Sequence, residues 1–191
     1  MSKNNQKQLT QRLVISAIFI AISIVLNELL AIRLPWSGSV TFFSMVPLAL
    51  LGWQYGLGWG MVCGTVMGTL DLLIGGLANF SYVNGITAYL ILILADYLVA
   101  YGVMGVSGVF KKVIKNSYVA FGLGAALACA LRFVCHFISG VTIWADYADG
   151  FANVWLYSLT YNGGYMLPEL IITVIGCVAI LKPAQKLFKI N

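Results

Sequence analysis

Residues 12–32, RLVISAIFIAISIVLNELLAI, form an apolar run long enough to cross a lipid bilayer as a helix. Such a helix needs about 20 mainly apolar residues. The whole chain has this character, because 61% of its 191 residues are hydrophobic and only 9% are charged. Soluble domains carry about 25% charged residues. The composition therefore excludes a water-soluble fold and predicts an integral membrane protein with a single domain, residues 1–191.

Six apolar runs predict the topology, and they cover residues 12–32, 40–55, 57–75, 85–108, 117–142 and 161–181. The second and third runs are short and are separated only by GWQYG, so one bent hairpin is the alternative. The segment MSKNNQKQLTQR predicts a short polar tail rather than a cleavable signal peptide. Because the runs are continuous rather than alternating, we predict an all-α bundle of six transmembrane helices rather than a barrel.

The basic residues predict the orientation of this bundle. Nine of the eleven fall on one side of it, namely Lys3, Lys7, Arg12, Lys111, Lys112, Lys115, Lys182, Lys186 and Lys189. By the positive-inside rule that side is cytoplasmic, and both termini lie there. Anchoring near anionic lipid accounts for the net charge of +5 without a nucleic-acid partner. The acidic residues fall within the spans or toward the outer side, which predicts a polar site in the extracellular half.

Missing motifs exclude several functions. The sequence has no GxxxxGK[ST] loop for ATP hydrolysis, and one His with four scattered Cys cannot make an HExxH or zinc site. The cysteines are predicted to be small buried hydrophobes. No nucleophile has a plausible partner base. We therefore predict no catalytic residue, no metal and no cofactor, and a site that binds a small molecule.

A polar stripe on the fifth run is the main candidate for that site. Arg132, His136, Gly140 and Trp144 recur every fourth residue, which places them on one helix face. Gly140 would let a flat group approach the backbone. The alternative is a packing histidine, a glycine at a helix contact and an interfacial tryptophan. An ionisable residue inside the membrane costs about 2.5 kcal/mol or more, which favours a functional site.

Asp96 and Tyr97 lie within the fourth run. A carboxylate among apolar residues needs a partner. Arg132 could be a purely structural partner; alternatively, Asp96 accepts hydrogen bonds from a ligand amino group or neutralises a bound cation. Tyr157 and Asn162 are polar groups at the mouth of the last run, so they are further candidates.

Trp36, in the first loop, is either an interface anchor or part of a lid over the pocket. Together, these aromatic and acidic groups suit a flat, heteroaromatic, cationic solute, since each cation–π contact contributes about 0.5–2 kcal/mol. Ala17 and Ala21 form an AxxxA motif that lets helices approach closely. Alone, this last signal is weak because alanine is common in membrane helices.

Four segments carry a resemblance to a known family: LLAIRLPWSGSVTFFSMVP (29–47), ADYLVA (95–100), LRFVCHFISGVTIW (131–144) and VWLYSLTYNGGYMLP (154–168). In order and spacing, they resemble the thiamine-specific substrate-binding (S) components of energy-coupling factor (ECF) transporters, the ThiT/YuaJ family. The resemblance covers nearly the whole chain. It implies a bacterial plasma-membrane protein that captures thiamine from outside and docks on a transmembrane coupling (T) protein with two ATPases.

The resemblance also implies roles for individual residues. Ala17 and Ala21 would contact the coupling protein. The thiamine-binding residues would be Trp36, Asp96, Tyr97, His136, Gly140, Trp144, Tyr157 and Asn162. Closure of the first loop would then occlude the pocket.

Two departures from the family pattern leave alternatives open. Some members carry Glu at the position of Asp96, and some carry a first-loop glutamate where this chain reads SVTFF. A pocket with fewer carboxylates predicts weaker thiazolium binding or a preference for a related pyrimidine. The alternatives are an S component for another vitamin or pyrimidine, a self-sufficient secondary transporter, and an intramembrane enzyme using His136 and Asp96.

Overall fold

The computed structural model describes residues 3–33 and 38–188. Its helices are α1 (Lys3–Leu29), α2 (Val46–Tyr55), α3 (Leu57–Ile74), α4 (Ile86–Lys112), α5 (Ser117–Thr142) and α6 (Val154–Phe188). A short antiparallel hairpin of strands β1 (Ala31–Arg33) and β2 (Ser39–Thr41) joins α1 to α2. Short 3₁₀ turns follow α3 and α5 at Gly76–Tyr82 and Ala145–Tyr147. The predicted all-α membrane class is confirmed, with the hairpin as an addition.

The prediction that residues 40–55 form one membrane-spanning helix was wrong about the length of the helix. Residues 39–41 belong to β2, and α2 has only ten residues. A helix of that length is about 15 Å long, half the hydrocarbon thickness of a bilayer. Eight of its ten residues are buried, and Gly56 at φ 86° turns the chain directly into α3. This arrangement matches the bent-hairpin alternative.

Within the described residues, five helices are long and apolar enough to cross a membrane, namely α1, α3, α4, α5 and α6. Length and composition alone define them as candidate spans, so the number of crossings and the side on which the termini lie stay predictions.

Two helix ends differ from the prediction because hydropathy detects only the apolar part of a helix. The N-terminal polar segment is helical from Lys3 onward rather than an irregular tail. The last helix begins at Val154, seven residues before the predicted start. Asn153 caps it, since its side-chain oxygen accepts a hydrogen bond from Leu156 N at 2.8 Å. Tyr157 and Asn162 therefore lie on a helix and have fixed directions.

A glycine stripe on α3 sets the position of α4. Gly60, Gly64 and Gly68 recur every fourth residue, and a Cβ at Gly64 or Gly68 would overlap the backbone carbonyl of Tyr101 or Tyr97. Small residues at such spacing let helix backbones approach closely in lipid. The stripe thus holds the segment containing Asp96 and Tyr97 against α3.

Candidate functional site

A cavity of about 940 Å³ lies at one end of the bundle, at the upper end of the range typical of small-molecule sites. Residues from α1, β2 and α3 to α6 line it. Seven of the eight predicted ligand residues are among them: Asp96, Tyr97, His136, Gly140, Trp144, Tyr157 and Asn162. The eighth, Trp36, lies outside the described residues. The structure thus brings the seven together, and their contact with a ligand stays a prediction.

The residues of the predicted stripe all face this cavity. Arg132, His136 and Gly140 lie on α5, Trp144 lies two residues beyond its end, and all four line the cavity. With 100° between successive residues, a four-residue spacing drifts only slowly around the helix. The stripe therefore presents a cation, an imidazole and an indole to the same space, from the inner end outward.

Asp96 is the hub of the site. Its Oδ1 lies 3.0 Å from His136 Nδ1 and accepts a hydrogen bond from Ser139, and its Oδ2 accepts one from Trp144 Nε1 at 3.1 Å. A carboxylate accepts hydrogen bonds, so the contact with Asp96 suits the His136 tautomer that carries its proton on Nδ1. His136 and Ser139 on α5, together with Trp144 just beyond the end of that helix, thereby fix the plane of this carboxylate.

Arg132 is not the structural partner of Asp96, so that alternative was wrong. Its guanidinium lies 4.1 Å from the centroid of the Tyr101 ring, and Nη1 donates to Met45 Sδ at 3.1 Å. The reason is geometric: Arg132 lies one turn deeper than His136, and the shorter His136 and Ser139 side chains reach the carboxylate first.

The backbone around Asp96 has an uncommon form that sequence reasoning missed. Residues Leu92–Leu98 form a π-helical turn within α4. Such turns are rare in proteins as a whole, but those that occur are often found at functional sites. The wider turn changes the direction of the side chains. Here the turn includes both Asp96 and Tyr97, which both face the cavity.

Gly140 serves the contact between α5 and α6. A Cβ at this position would overlap Ser158 Oγ and would lie 2.9 Å from Asn162 Nδ2. The space beside the glycine is thus filled by α6, which favours the helix-contact alternative over approach of a ligand to the backbone at this point. The close contact also lets Asn162 Nδ2 donate to His136 O at 3.2 Å, so α6 supports the helix turn that carries the histidine.

The remaining predicted residues form the aromatic walls. Tyr97 is 7% exposed, and its hydroxyl accepts a hydrogen bond from Asn79 Nδ2 at 2.7 Å. Tyr157 stacks on Tyr161, with ring centroids 5.6 Å apart and planes at 27°. Trp144 lines the cavity from just beyond the end of α5. Flat rings therefore line several sides of a cavity that also contains acids.

Two further carboxylates line the cavity, and sequence reasoning did not assign either to the site. Asp71 accepts hydrogen bonds from Asn27 Nδ2 at 2.8 Å and from Tyr101 OH at 2.9 Å. Glu169 is 4% exposed and accepts from both Thr41 N and Thr41 Oγ1, each at 2.7 Å. The sequence signal for both was their position in or beside an apolar run, because an acidic side chain is costly there and usually has a functional or structural partner.

Glu169 also corrects the expectation that the pocket has no carboxylate beside the first-loop segment SVTFF. SVTFF contains no carboxylate, but α6 supplies one to Thr41 within that segment. Among the described residues, the number of carboxylates on the cavity wall is therefore three. Only tertiary structure places residue 169 beside residue 41.

We expect Glu169→Gln to lower stability by weakening the attachment of β2 to α6. Glutamine keeps one oxygen to accept from Thr41 N, and its amide group can only donate to Thr41 Oγ1, so two hydrogen bonds to a carboxylate are replaced by weaker bonds to an amide. We expect a loss of about 1 kcal/mol, which lowers the Tm of a chain of this size by about 2–4 °C. Thermal unfolding in detergent measures the shift. Glu28→Gln, at an exposed residue, is the control; equal shifts for both variants would contradict the role given to Glu169.

A helical membrane bundle with a solute-sized cavity of acids and rings is typical of membrane transport proteins. Residues 13–189 match the profile of the family described as "Thiamine transporter protein (Thia_YuaJ)", and the chain belongs to this family. The family resemblance predicted from the sequence is thus confirmed. The prediction that the protein is not an enzyme is confirmed by the same membership, since the family is one of membrane transport proteins.

Curated relatives agree over most of the chain. The thiamine transporter ThiT of Bacillus subtilis (strain 168) is 30% identical, with 97% of each chain covered. ThiT of Lacticaseibacillus paracasei is 31% identical over 76% of this chain and 75% of its own. The structure of ThiT from Listeria monocytogenes shares the fold, with a TM-score of 0.78, 24% identity, and 95% and 98% coverage of this chain and that one. The protein is a multi-pass protein of a bacterial plasma membrane, as predicted.

Proposed function

We propose that this protein is the thiamine-binding subunit of an ECF-type uptake transporter, capturing thiamine from outside and relying on separate proteins for energy. Membership of the thiamine transporter family supports the substrate. The single observation that carries the proposal is the Asp96 carboxylate, held in a defined orientation on the wall of a cavity lined with aromatic rings.

Asp96 suits the aminopyrimidine end of thiamine. Each carboxylate oxygen has two lone pairs. Oδ1 uses both, for His136 and Ser139, whereas Oδ2 uses one, for Trp144. The second lone pair of Oδ2 remains for a donor from the ligand, and the exocyclic amino group of the pyrimidine is such a donor. Charge-assisted hydrogen bonds of this kind are roughly twice as strong as neutral ones.

His136 offers the complementary polar position. Its Nδ1 donates to Asp96, so in the neutral ring Nε2 is an acceptor, and Nε2 is buried without a partner among the described residues. A ligand hydroxyl or N–H group in the cavity would satisfy it. The hydroxyethyl group and the amino group of thiamine both carry such hydrogens.

The charge of the cavity suits the thiazolium ring. The lining carries more carboxylates than basic side chains: Asp71, Asp96 and Glu169 against Arg132. A cation entering this space exchanges water for negative groups and ring faces, and cation–π contacts contribute about 2 kcal/mol or more when desolvated. A neutral aminopyrimidine could still donate to Asp96 and stack on the rings, but it gains no charge attraction from these groups, which favours thiamine over the alternative of an uncharged precursor.

We expect Trp144→Phe to weaken thiamine binding about tenfold. Phenylalanine keeps a ring for stacking but loses the Nε1 hydrogen bond that orients Asp96, and a hydrogen bond to a charged group contributes about 1.5–3 kcal/mol. Isothermal titration measures the affinity. Trp155→Phe is the matched control, because Trp155 is 64% exposed and does not line the cavity. A wild-type affinity in the Trp144 variant would contradict the orienting role.

The dependence on a coupling protein and two ATPases is part of the proposal. The 191-residue sequence has no P-loop of its own, and Ala17 and Ala21 are exposed on α1, where a partner helix could reach them. Small residues allow such close helix contact. The bilayer-exposed face of α1 is therefore the proposed docking surface.

Two experiments test the proposal. Titration with thiamine, in competition with a panel of other vitamins and pyrimidines, should give saturable binding of thiamine alone; binding of another vitamin and not of thiamine would refute the substrate. In proteoliposomes, uptake of labelled thiamine should require added coupling protein, ATPases and ATP. Uptake by the purified subunit alone would instead establish the secondary-transporter alternative.

A further inference from the structure

A second concave site lies at the opposite end of α1 from the cavity. It is a groove of about 530 Å³ between the first turns of α1 and the turn that joins α2 to α3. Polar residues dominate its lining: Gln8, Gln11, Arg12, Gln54 and Tyr55 are among the eight, and none of the eight is acidic. It shares no lining residue with the cavity described above.

Arg12 is held rigidly at this groove. Its guanidinium lies 3.9 Å from the ring centroid of Trp59 and 4.9 Å from that of Tyr55, and Nη2 donates to Tyr55 O at 3.2 Å. Trp59 is fixed in turn, because its Nε1 donates to Ser16 Oγ at 2.9 Å. A long side chain that is already immobilised loses little entropy when a ligand binds.

Two buried polar atoms of residues that line the groove have no hydrogen-bond partner among the described residues. They are Nε of Arg12, a donor, and Oε1 of Gln54, an acceptor. Among the described residues, the ion pair that forms joins His136 to Asp96, in the cavity described above. No carboxylate of these residues therefore lies within ion-pair distance of Arg12. Within the part of the chain that the structure describes, the positive charge at the groove is thus uncompensated, with one unmet donor and one unmet acceptor.

The position of Arg12 along α1 places the groove at the lipid–water boundary. The next charged residue on the helix is Glu28, sixteen residues later, which is about 24 Å along the axis and close to the hydrocarbon thickness. Side chains on a helix lean toward its N-terminus, so the Arg12 guanidinium reaches outward from the hydrocarbon to the level of lipid phosphates. Tyr55 and Trp59 are residue types that prefer the same level.

We propose that this groove binds the headgroup of one inner-leaflet glycerophospholipid, with Arg12 on the phosphodiester and Gln54 accepting a hydrogen bond from a headgroup hydroxyl or ammonium group. Arginine is suited to phosphate because its planar fork can donate two parallel hydrogen bonds. A phosphodiester alone would leave the Gln54 oxygen unmet, whereas phosphatidylglycerol supplies both an acceptor and a nearby donor. The proposal depends on the membrane location of the chain and not on the identity of the transported solute.

Native mass spectrometry of the purified full chain tests it, with phosphatidylglycerol, phosphatidylmethanol and phosphatidylcholine as probes. We expect one phosphatidylglycerol to be retained per wild-type chain, and at least tenfold less retention by Arg12→Gln. Lys115→Gln, which removes a charge from an exposed loop residue on the same predicted side, should retain it like the wild type. Equal loss in both variants would show general surface attraction and overturn the site.

Gln54→Ala provides a second, independent test that still applies if the Arg12 variant folds poorly. This variant should bind phosphatidylglycerol several-fold more weakly but leave phosphatidylmethanol, an anionic diester without a headgroup donor, unchanged. Equal retention of phosphatidylcholine and phosphatidylglycerol, or displacement of lipid by millimolar inorganic phosphate, would contradict a headgroup site. Unfolding followed by circular dichroism confirms that each variant compared is folded.

Discussion

Asp96→Asn should weaken thiamine binding at least 100-fold, the largest effect on affinity that we expect from a change of so few atoms. Asp96 accepts hydrogen bonds on both oxygens, from His136 and Ser139 on one and from Trp144 on the other. Asparagine has a single acceptor oxygen, so its amide group would face one of these donors. The variant also removes a negative charge from a cavity proposed to hold a cation.

The magnitude follows from the two losses together. A hydrogen bond to a charged group contributes about 1.5–3 kcal/mol, and about 2.7 kcal/mol corresponds to a 100-fold change in Kd. Isothermal titration of purified protein measures it directly. Asp146→Asn is the matched control, since Asp146 is exposed in the turn after α5 and should change affinity less than twofold. An Asp96 variant within threefold of the wild type would remove the central contact of the proposed site.

Gly140→Ala should lower stability markedly and should also disturb the site. The added Cβ would overlap Ser158 Oγ and crowd Asn162 Nδ2, which supports the His136 turn. Overpacking a close contact costs about 1–3 kcal/mol, which lowers Tm by several degrees for a chain of this size. We therefore expect α5 and α6 to move apart, with a lower Tm and weaker thiamine binding.

Two comparisons isolate the cause. Gly163→Ala on α6 introduces the same methyl group where no atom lies within 4 Å, and it should be neutral or slightly stabilising. Ser158→Ala combined with Gly140→Ala removes the overlapping hydroxyl and should recover part of the Tm. If the two glycine variants melt at the same temperature, close contact at residue 140 is not what the glycine provides.

Much of the architecture could be predicted from composition because a bilayer imposes a simple rule. Backbone groups in hydrocarbon must bond internally, so long apolar runs become helices. The rule fails where a segment is buried in protein instead of lipid. Residues 40–55 are as apolar as a span, yet they divide into β2 and the short, buried α2.

In the site, likewise, features set by one helix could be predicted and contacts between helices could not. The four-residue spacing of the stripe fixes a common face for any helix, so periodicity alone places Arg132, His136 and Gly140 together, and Trp144 joins them from just beyond the end of α5. Contacts between distant segments had no such signal. Charge alone made Arg132 a reasonable partner for Asp96. Because Arg132 lies one turn deeper along α5, the carboxylate is bonded by His136 and Ser139 instead.

By itself, the sequence determined the membrane environment, the helical class and one face of the site, because these depend on hydropathy and on the period of a single helix. Tertiary structure alone decided that Glu169 meets Thr41, that Asp71 joins the cavity, and that α6 fills the space beside Gly140. The physical reason is that a contact between helices depends on their separation, rotation and depth, which many small packing contacts set together and no local pattern records.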